Sequence, residues 1–254
     1  MDVIVVLVLL AAGVGAGMVN ALAGGGSLIS YPALLAVGVP PISANVTNSV
    51  SVAPGYVGSV IGSRSQLKGQ RQRIIKLIPT ACLGALAGTA LLLTTPPSLF
   101  EAIVPFLIIT AAILMALGPT LNRLLASQAD AQGEHPVLIH VLIALACVYG
   151  GYFLSAIGLV VMAFLAICVN DSLPRMTALK NIITMCIGLI AATVYSLLAS
   201  VEWTAVMALV PATLLGGWLG AKLGPRLPQK PLRWVIIAYG LTVGIILLVR
   251  YWWM

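Results

Sequence analysis

Long apolar stretches with few charged residues recur along the whole chain, and they restrict its fold more than any other feature. Eight of them have about the 20 residues that a helix needs to cross a bilayer. They show no alternation at period two, which favours helices over a membrane barrel. Of 254 residues, 61% are hydrophobic and only 7% are charged, whereas a soluble domain has about a quarter charged. The sequence therefore predicts an all-α protein that crosses the membrane several times.

Ten apolar segments follow one another, eight of them long and two short. The long segments are residues 3–23, 42–62, 74–93, 99–118, 137–156, 175–198, 203–222 and 234–253. The short segments, 27–37 and 159–169, would form half-helices of about 16 Å, which is half of the hydrocarbon core. Whether the half-helices cross the membrane or re-enter on the same side stays open at this point.

A polar stretch, residues 119–136, divides the ten segments into five and five, and the short segments have the same place in each half. This arrangement suggests an internal repeat. Offsets of 133 and 132 residues align Gly17, Gly25, Pro41 and Asn48 with Gly150, Gly158, Pro174 and Asn181, and Pro79, Gly84 and Gly88 with Pro211, Gly216 and Gly220. Glycine and proline set backbone geometry, so their matches weigh most. We expect two membrane repeats, 1–118 and 137–254, joined by a polar cytoplasmic linker, 119–136.

The positions of lysine and arginine predict the orientation of the chain. If all ten segments cross, twelve of the thirteen cations lie in or beside the connections on one side, and only Arg250 lies elsewhere. The positive-inside rule places that side in the cytoplasm and both termini outside. The net charge of +7 thus reflects membrane topology rather than nucleic-acid binding. Five crossings in each half would make the repeats inverted, an architecture that is common among transporters.

A glycine triplet precedes the first short segment, which begins at Ser27. Each glycine lowers the stability of a helix by about 1 kcal/mol relative to alanine. Gly24, Gly25 and Gly26 should therefore interrupt the helical structure. They also allow the backbone to approach a ligand closely. We expect Ser27 to cap the short helix, whose first N–H groups would attract an anion. The alternative interpretation is that the glycines only permit tight helix packing.

Two polar faces, one in each half, form the second candidate site. They comprise Thr47, Asn48 and Ser51 in the third segment, and Thr177, Lys180, Asn181 and Thr184 in the eighth. The helical spacing puts each set on one face, which should avoid lipid and lie near the midplane. Such a face binds substrate or holds helices together. Lys180 has no acidic residue one helical turn away, so it either extends to the cytoplasmic interface or awaits an anion such as the substrate.

Catalytic and cofactor motifs are missing from the sequence. Acidic residues lie at segment ends or in connections, and the four cysteines have no metal-ligand spacing. The phosphate-binding loop of ATPases is also missing. We therefore expect no enzyme, cofactor or metal, and as partners only the bilayer and a small anionic substrate. The sequence leaves open whether the anion passes through a secondary transporter or a channel, in which direction, with which coupling ion and in what oligomeric state.

The segment Asn-Ala-Leu-Ala-Gly-Gly-Gly-Ser at residues 20–27, followed by Pro32, Gly38 and residues 45–48, resembles the TauE/SafE sulfite exporter family of membrane transporters. Residues 151–181 are similar to the same family, but they keep one glycine of the triplet and have Leu165 in place of the proline. The resemblance covers nearly the whole chain. It implies a multi-pass inner-membrane transporter of a sulfur-containing or organic anion, such as sulfite or a sulfonate. It also implies an asymmetric site, with backbone groups from the first half and Lys180 from the second.

Overall fold

The computed structural model describes residues 2–22, 24–126, 136–223 and 229–253. In this part of the chain the regular structure is entirely helical, which confirms the predicted class. The first half contains α1 (Val3–Leu22), α2 (Ser27–Ala36), α3 (Pro41–Gly62), the 3-10 helix η1 (Arg64–Leu67), α4 (Arg71–Thr94) and α5 (Pro97–Ala126). The second contains α6 (Pro136–Tyr152), α7 (Ile157–Cys168), α8 (Leu173–Leu198), α9 (Trp203–Leu223) and α10 (Gln229–Trp253).

Six of the described helices are long and apolar enough to cross a membrane, namely α1, α4, α5, α8, α9 and α10. α6 is apolar but has only 17 residues. α3 has 22 residues, and its polar side chains lower its hydropathy. α5 continues to Ala126, so it includes part of the expected linker 119–136, whose residues 127–135 lie outside the described part.

The short helices α2 and α7 lie inside the bundle rather than against lipid. They have 10 and 12 residues, close to the eleven expected for each. Seven residues of each helix are buried. α2 contributes Leu28, Tyr31 and Leu34 to one hydrophobic cluster, and α7 contributes Val161 and Leu165 to another. Because most of their residues pack against protein, these half-length helices need no hydrophobic match to the full bilayer.

Tight glycine contacts fix the direction of two helix pairs. α1 packs along α9, with Gly13 against Ala212 and Gly17 against Thr213. A side chain at Gly17 would collide with the carbonyl of Thr213, so this pair can approach only through small residues. Since residue numbers rise together along the two helices, α1 and α9 run parallel.

The same packing joins α4 and α6. Gly84 lies against Cys147, and Gly88 lies against the carbonyl of Val148. From the α6 side, Gly151 faces the carbonyl of Ala85. α4 and α6 therefore also run parallel to each other.

Two further pairs run antiparallel and bring the two halves together. In α3 and α8, Asn181 bonds to Ser59 and Ser63, whereas Gly188 lies against Tyr56. In α5 and α10, Gly244 packs against Ile109, and the Tyr251 hydroxyl donates to the Ser98 carbonyl at 3.1 Å. Within the two predicted polar faces, Thr47, Asn48, Ser51, Asn181 and Thr184 are buried, whereas Thr177 and Lys180 are half-buried.

Candidate functional site

The chain breaks before α2 and α7 meet in the interior of the bundle. Gly24 has φ +74°, a left-handed conformation that glycine adopts without the strain of a side chain. A Cβ on Gly24 would lie 3.3 Å from the Cα of Gly158, and a Cβ on Gly158 would lie 3.3 Å from the Cα of Gly24. The two halves thus touch backbone to backbone, each through a glycine at the start of its short helix.

The amine of Lys180 lies beside this junction. Its Nζ is 3.8 Å from the point that a Cβ of Gly24 would occupy. No described residue forms an ion pair or a hydrogen bond with this amine. An ammonium group taken out of bulk water without a counter-ion is costly, by several kcal/mol. The place is therefore suited to a negatively charged ligand.

A cavity of about 480 Å³ opens next to Lys180, between α1, α3, α8 and α9. Its amide, hydroxyl and cationic side chains are Asn20, Ser59, Ser63, Thr177, Lys180, Asn181 and Thr213. Its other walls are mostly glycine, together with Val52, Leu214 and Trp218. The volume falls within the range of about 300–1,000 Å³ that is typical of small-molecule sites. The cavity reaches the end of α3 and the start of α8, which is the end of the molecule that carries most of the cations.

The polar face of α8 forms one wall of this cavity. Asn181 donates from Nδ2 to the Ser59 carbonyl at 3.3 Å and to the Ser63 hydroxyl at 3.0 Å, which ties α8 to α3. The Thr177 hydroxyl donates to a carbonyl of its own helix at 2.8 Å. Thr184 is buried and donates to the carbonyls of Lys180 and Asn181. Thr177, Lys180 and Asn181 line the cavity, and Thr184 lies one turn deeper.

The polar face of α3 has other surroundings. The Thr47 hydroxyl accepts the N–H of Glu202 at 2.9 Å, and Oδ1 of Asn48 accepts the hydroxyl of Ser30. Ser51 donates to the Thr47 carbonyl at 2.7 Å. All three side chains are buried, and none of them lines the cavity beside Lys180. The structure therefore brings Gly24 together with the α8 residues and leaves Thr47, Asn48 and Ser51 apart from them.

Ser27 does not cap α2, contrary to the sequence prediction. The N-cap residue of α2 is Gly26, and no side-chain hydrogen bond caps the helix there. Gly26 already has helical backbone angles, φ −61° and ψ −28°, so Ser27 is the first residue of the helix. The N–H of Gly26 donates instead to Oδ1 of Asn20 at 2.8 Å. The hydroxyl of Ser27 is buried and has no hydrogen-bond partner among the described residues.

The three glycines of the triplet have different surroundings. A Cβ on Gly26 would collide with the carbonyl of Ala16, and a Cβ on Gly25 would lie 3.3 Å from the sulfur of Met115. Gly25 and Gly26 thus fit the packing interpretation. Within the triplet, only Gly24 combines a left-handed φ with contact to Lys180.

Four residues with amide or hydroxyl side chains in the cavity were not predicted from the sequence, namely Asn20, Ser59, Ser63 and Thr213. Asn20 lines the cavity and also bonds to Gly26. Ser59 and Ser63 line it from α3, one turn apart. A signal for Asn20 was present, because it is the only residue with a polar side chain in the otherwise apolar helix α1. The serines carry a weaker signal, since serine in a membrane helix commonly bonds to its own backbone, as Ser59 and Ser63 also do here.

A metal centre finds no ligands in the described segments. No group of three or more histidine, cysteine, aspartate or glutamate side chains there could hold a metal ion. Cys82, Cys147, Cys168 and Cys186 are all free thiols. The cavity lining provides one cation, the Lys180 amine, together with amide and hydroxyl groups that bond to other oxygens of the protein.

Comparison with known proteins gives consistent matches over most of the chain. The sequence model of the family described as "Sulfite exporter TauE/SafE" matches residues 9–247. The chain is 28% identical over 235 residues to the probable membrane transporter protein YfcA of Escherichia coli strain K12, covering 87% of this chain and 81% of that protein. It is 24% identical over 216 residues to a probable membrane transporter protein of Haemophilus influenzae, covering 85% and 84% respectively. No solved structure matches the chain.

Proposed function

Since the chain belongs to the TauE/SafE sulfite exporter family and is a multi-pass membrane transporter, we propose that it is a secondary transporter that carries a small anion through the Lys180 cavity. The observation that carries the proposal is the Lys180 amine, which has no partner among the described residues and lies beside Gly24 and Gly158. A bound anion would supply the missing counter-charge. It would also face the N-terminal ends of α2 and α7, whose positive dipole ends favour negative charge.

The proposed substrate class rests on the lining of the cavity and on the name of the family. Asn181, Thr177, Ser59 and Ser63 carry amide and hydroxyl donors that bond to protein oxygens in this state and would turn to a bound oxyanion. The glycine-rich walls leave room for a small organic group. A sulfur-containing or organic anion, such as sulfite or a sulfonate, suits this lining and agrees with the name of the family.

The helix directions support ten membrane crossings. α1 runs parallel to α9 and α4 to α6, while α3 opposes α8 and α5 opposes α10. All four relations hold if every helix reverses the direction of the one before it, including α2 and α7. If either short helix re-entered, or both did, at least one relation would change. This argument favours crossing for both half-helices.

The glycine contacts also support inverted repeats. Gly17 meets the Thr213 carbonyl as Gly151 meets the Ala85 carbonyl. The matched positions lie 134 residues apart in α1 and α6, and 128 apart in α4 and α9, somewhat different from the offsets of 133 and 132 taken from the sequence. We infer repeats of about 1–118 and 137–254, in a cell inner membrane, with the cation-rich end in the cytoplasm and both termini outside.

A carrier agrees better with the structure than a channel does, because the cavity is closed at one end. The cavity opens towards the cation-rich end. Beyond it lie the contact of Gly24 with Gly158 and, further along, the bond between Thr47 and Glu202. We infer that this arrangement is the cytoplasm-facing state of a carrier that opens alternately to the two sides. A channel remains the second candidate, and saturable counterflow of labelled substrate would distinguish the two. We infer no enzymatic activity.

Sulfite, sulfonates and small carboxylates are first screened by their effect on the melting temperature of the purified protein. The test then compares Lys180→Met with the unmodified protein in proteoliposomes. Loss of a charge-assisted contact of about 1.5–3 kcal/mol should reduce anion affinity about 10- to 100-fold. Thr47→Val is the matched control, because it occupies the corresponding place on the α3 face and should change affinity less than threefold. Unchanged affinity in Lys180→Met would exclude the proposed site.

A further inference from the structure

A second cavity, of about 290 Å³, lies at the cation-rich end of the molecule. The first turns of α4, α6 and α8 surround it together with the end of α7. Among the described residues that line it are the cationic side chains of Arg73, Lys76 and Arg175 and the carboxylate of Asp171. This cavity is separate from the Lys180 cavity, and the two have no lining residue in common.

Asp171 holds the two arginines in place. Its Oδ1 accepts Nε of Arg175 at 2.8 Å and its Oδ2 accepts Nη1 of Arg73 at 3.1 Å. Burial by itself raises the pKa of Asp171, but hydrogen bonds from Arg175, the Ser172 N–H and Arg73 outweigh it and leave the pKa below its ordinary value of 3.8. The carboxylate is therefore ionised at neutral pH and neutralises one of the two guanidinium charges.

Lys76 adds a further positive charge to the cavity. Its side chain is exposed, and it forms no ion pair with any residue that the structure describes. Leu77, Ile139 and Cys168 also line the cavity and are apolar. The cavity thus combines cationic and apolar lining residues, and it lies where α4, α6 and α8 begin.

We propose that this cavity binds the phosphate group of an anionic phospholipid from the cytoplasmic leaflet. Phospholipid phosphates lie at the level where membrane helices begin, and basic pockets between such helices bind anionic head groups on the cytoplasmic side. The phosphate would lie against Lys76 and Arg175, and the glycerol and first methylene groups against Leu77 and Ile139. A bound lipid would join α4 of the first half to α6 and α8 of the second.

The experiment measures the melting temperature of the full-length protein in neutral detergent during titration with phosphatidylglycerol. Lys76→Gln is compared with Arg71→Gln, because both residues are exposed cations of α4 and only Lys76 lines the cavity. Each basic residue near a membrane surface contributes about 1 kcal/mol, so Lys76→Gln should weaken the apparent lipid affinity about fivefold. Arg71→Gln should change it less than twofold. Native mass spectrometry should detect one retained phosphatidylglycerol that is depleted in Lys76→Gln.

Three controls decide the outcome. Without lipid, both variants should melt within about 1 °C of the unmodified protein, because exposed substitutions rarely change stability by more than about 0.5 kcal/mol. Zwitterionic phosphatidylcholine should give no comparable stabilisation. Equal losses in the two variants would indicate general surface charge and would overturn the proposal. If inorganic phosphate stabilised the protein as well as phosphatidylglycerol does, the site would bind a free anion, and the lipid assignment would be wrong.

Discussion

In α3, the side chains of Thr47, Asn48 and Ser51 each bond to another group of the protein, whereas in α8 the amine of Lys180 has no partner among the described residues. Both faces follow the same helical spacing, and both lie inside the bundle. The α3 face is closed by Ser30 and by the backbone of Glu202, while the α8 face opens onto a cavity. A polar face in a membrane helix therefore needs partners, and these can be protein groups or a bound solute.

If the two halves are inverted repeats of a carrier, the difference between the faces describes one of its two states. The α8 face is open towards the cation-rich end, and the α3 face is closed at the other end. We expect Thr47 to become accessible when the cavity beside Lys180 closes. The following changes test whether the faces differ in function as they do in surroundings, from the largest expected effect to the smallest.

Gly24→Ala should damage the Lys180 site most. Alanine at φ +74° costs about 1–2 kcal/mol, and its Cβ would lie 3.3 Å from Gly158 and 3.8 Å from the Lys180 amine. We expect at least a tenfold loss of anion affinity together with a lower melting temperature, measured by substrate titration of the purified protein. Gly25→Ala is the control, because Gly25 has no positive φ and abuts the flexible Met115. Equal affinity losses in both variants would show that the triplet serves packing alone.

Asn48→Ala and Asn181→Ala should have different effects. Asn48→Ala removes the acceptor of the Ser30 hydroxyl, so stability should fall by about 1–3 kcal/mol while anion affinity changes less than twofold. Asn181→Ala removes an amide from the cavity wall and should weaken the anion about three- to tenfold. Melting curves and substrate titrations of the same preparations provide both quantities. A larger affinity loss in Asn48→Ala would contradict the distinction between the two faces.

Asp171→Asn tests the anchor that positions the start of α8. The carboxylate joins Arg73 of α4 to Arg175 of α8, and its partial exposure limits its contribution to about 1 kcal/mol. Because the pKa of Asp171 is lowered in the folded state, this stability is present above its ordinary value of 3.8 and is lost as the pH falls through the lowered value. The difference in melting temperature between Asp171→Asn and the unmodified protein should therefore stay constant between about pH 5 and 8. A difference that changed within this range would assign the effect to another group.

Ala156→Gly should have the smallest effect. Ala156 precedes α7 with φ +57°, so glycine would relieve about 1 kcal/mol of strain. Ala156 is also fully buried, and loss of its methyl group costs about 0.8 kcal/mol. The two terms nearly cancel, so denaturant unfolding should give a change within about 0.5 kcal/mol. A large loss of stability would mean that the packing of the Ala156 methyl group contributes much more free energy than the backbone strain costs.

The helices and their breaks could be predicted because their signals are local. Apolar runs and glycine or proline residues predicted the short first half-helix at 27–37, and α2 occupies Ser27–Ala36. The length of α5 could not be read in this way, because hydropathy reports where a helix leaves the membrane and not where it ends. The prediction that Ser27 caps α2 was also wrong, because Oδ1 of Asn20 in the preceding helix accepts the N–H of Gly26.

The sequence by itself determined that this protein is a bundle of membrane helices with two broken half-helices, two buried polar faces and a lysine without a local partner. Those properties follow from composition and helical period. Only the tertiary structure decided which face is closed by protein and which opens onto a cavity. It also decided that Gly24 meets Gly158 and Lys180, which lie more than a hundred residues away along the chain. The polar residues of one helix indicate that they need hydrogen-bond or charge partners inside the membrane. Which groups these partners are depends on how the other helices pack.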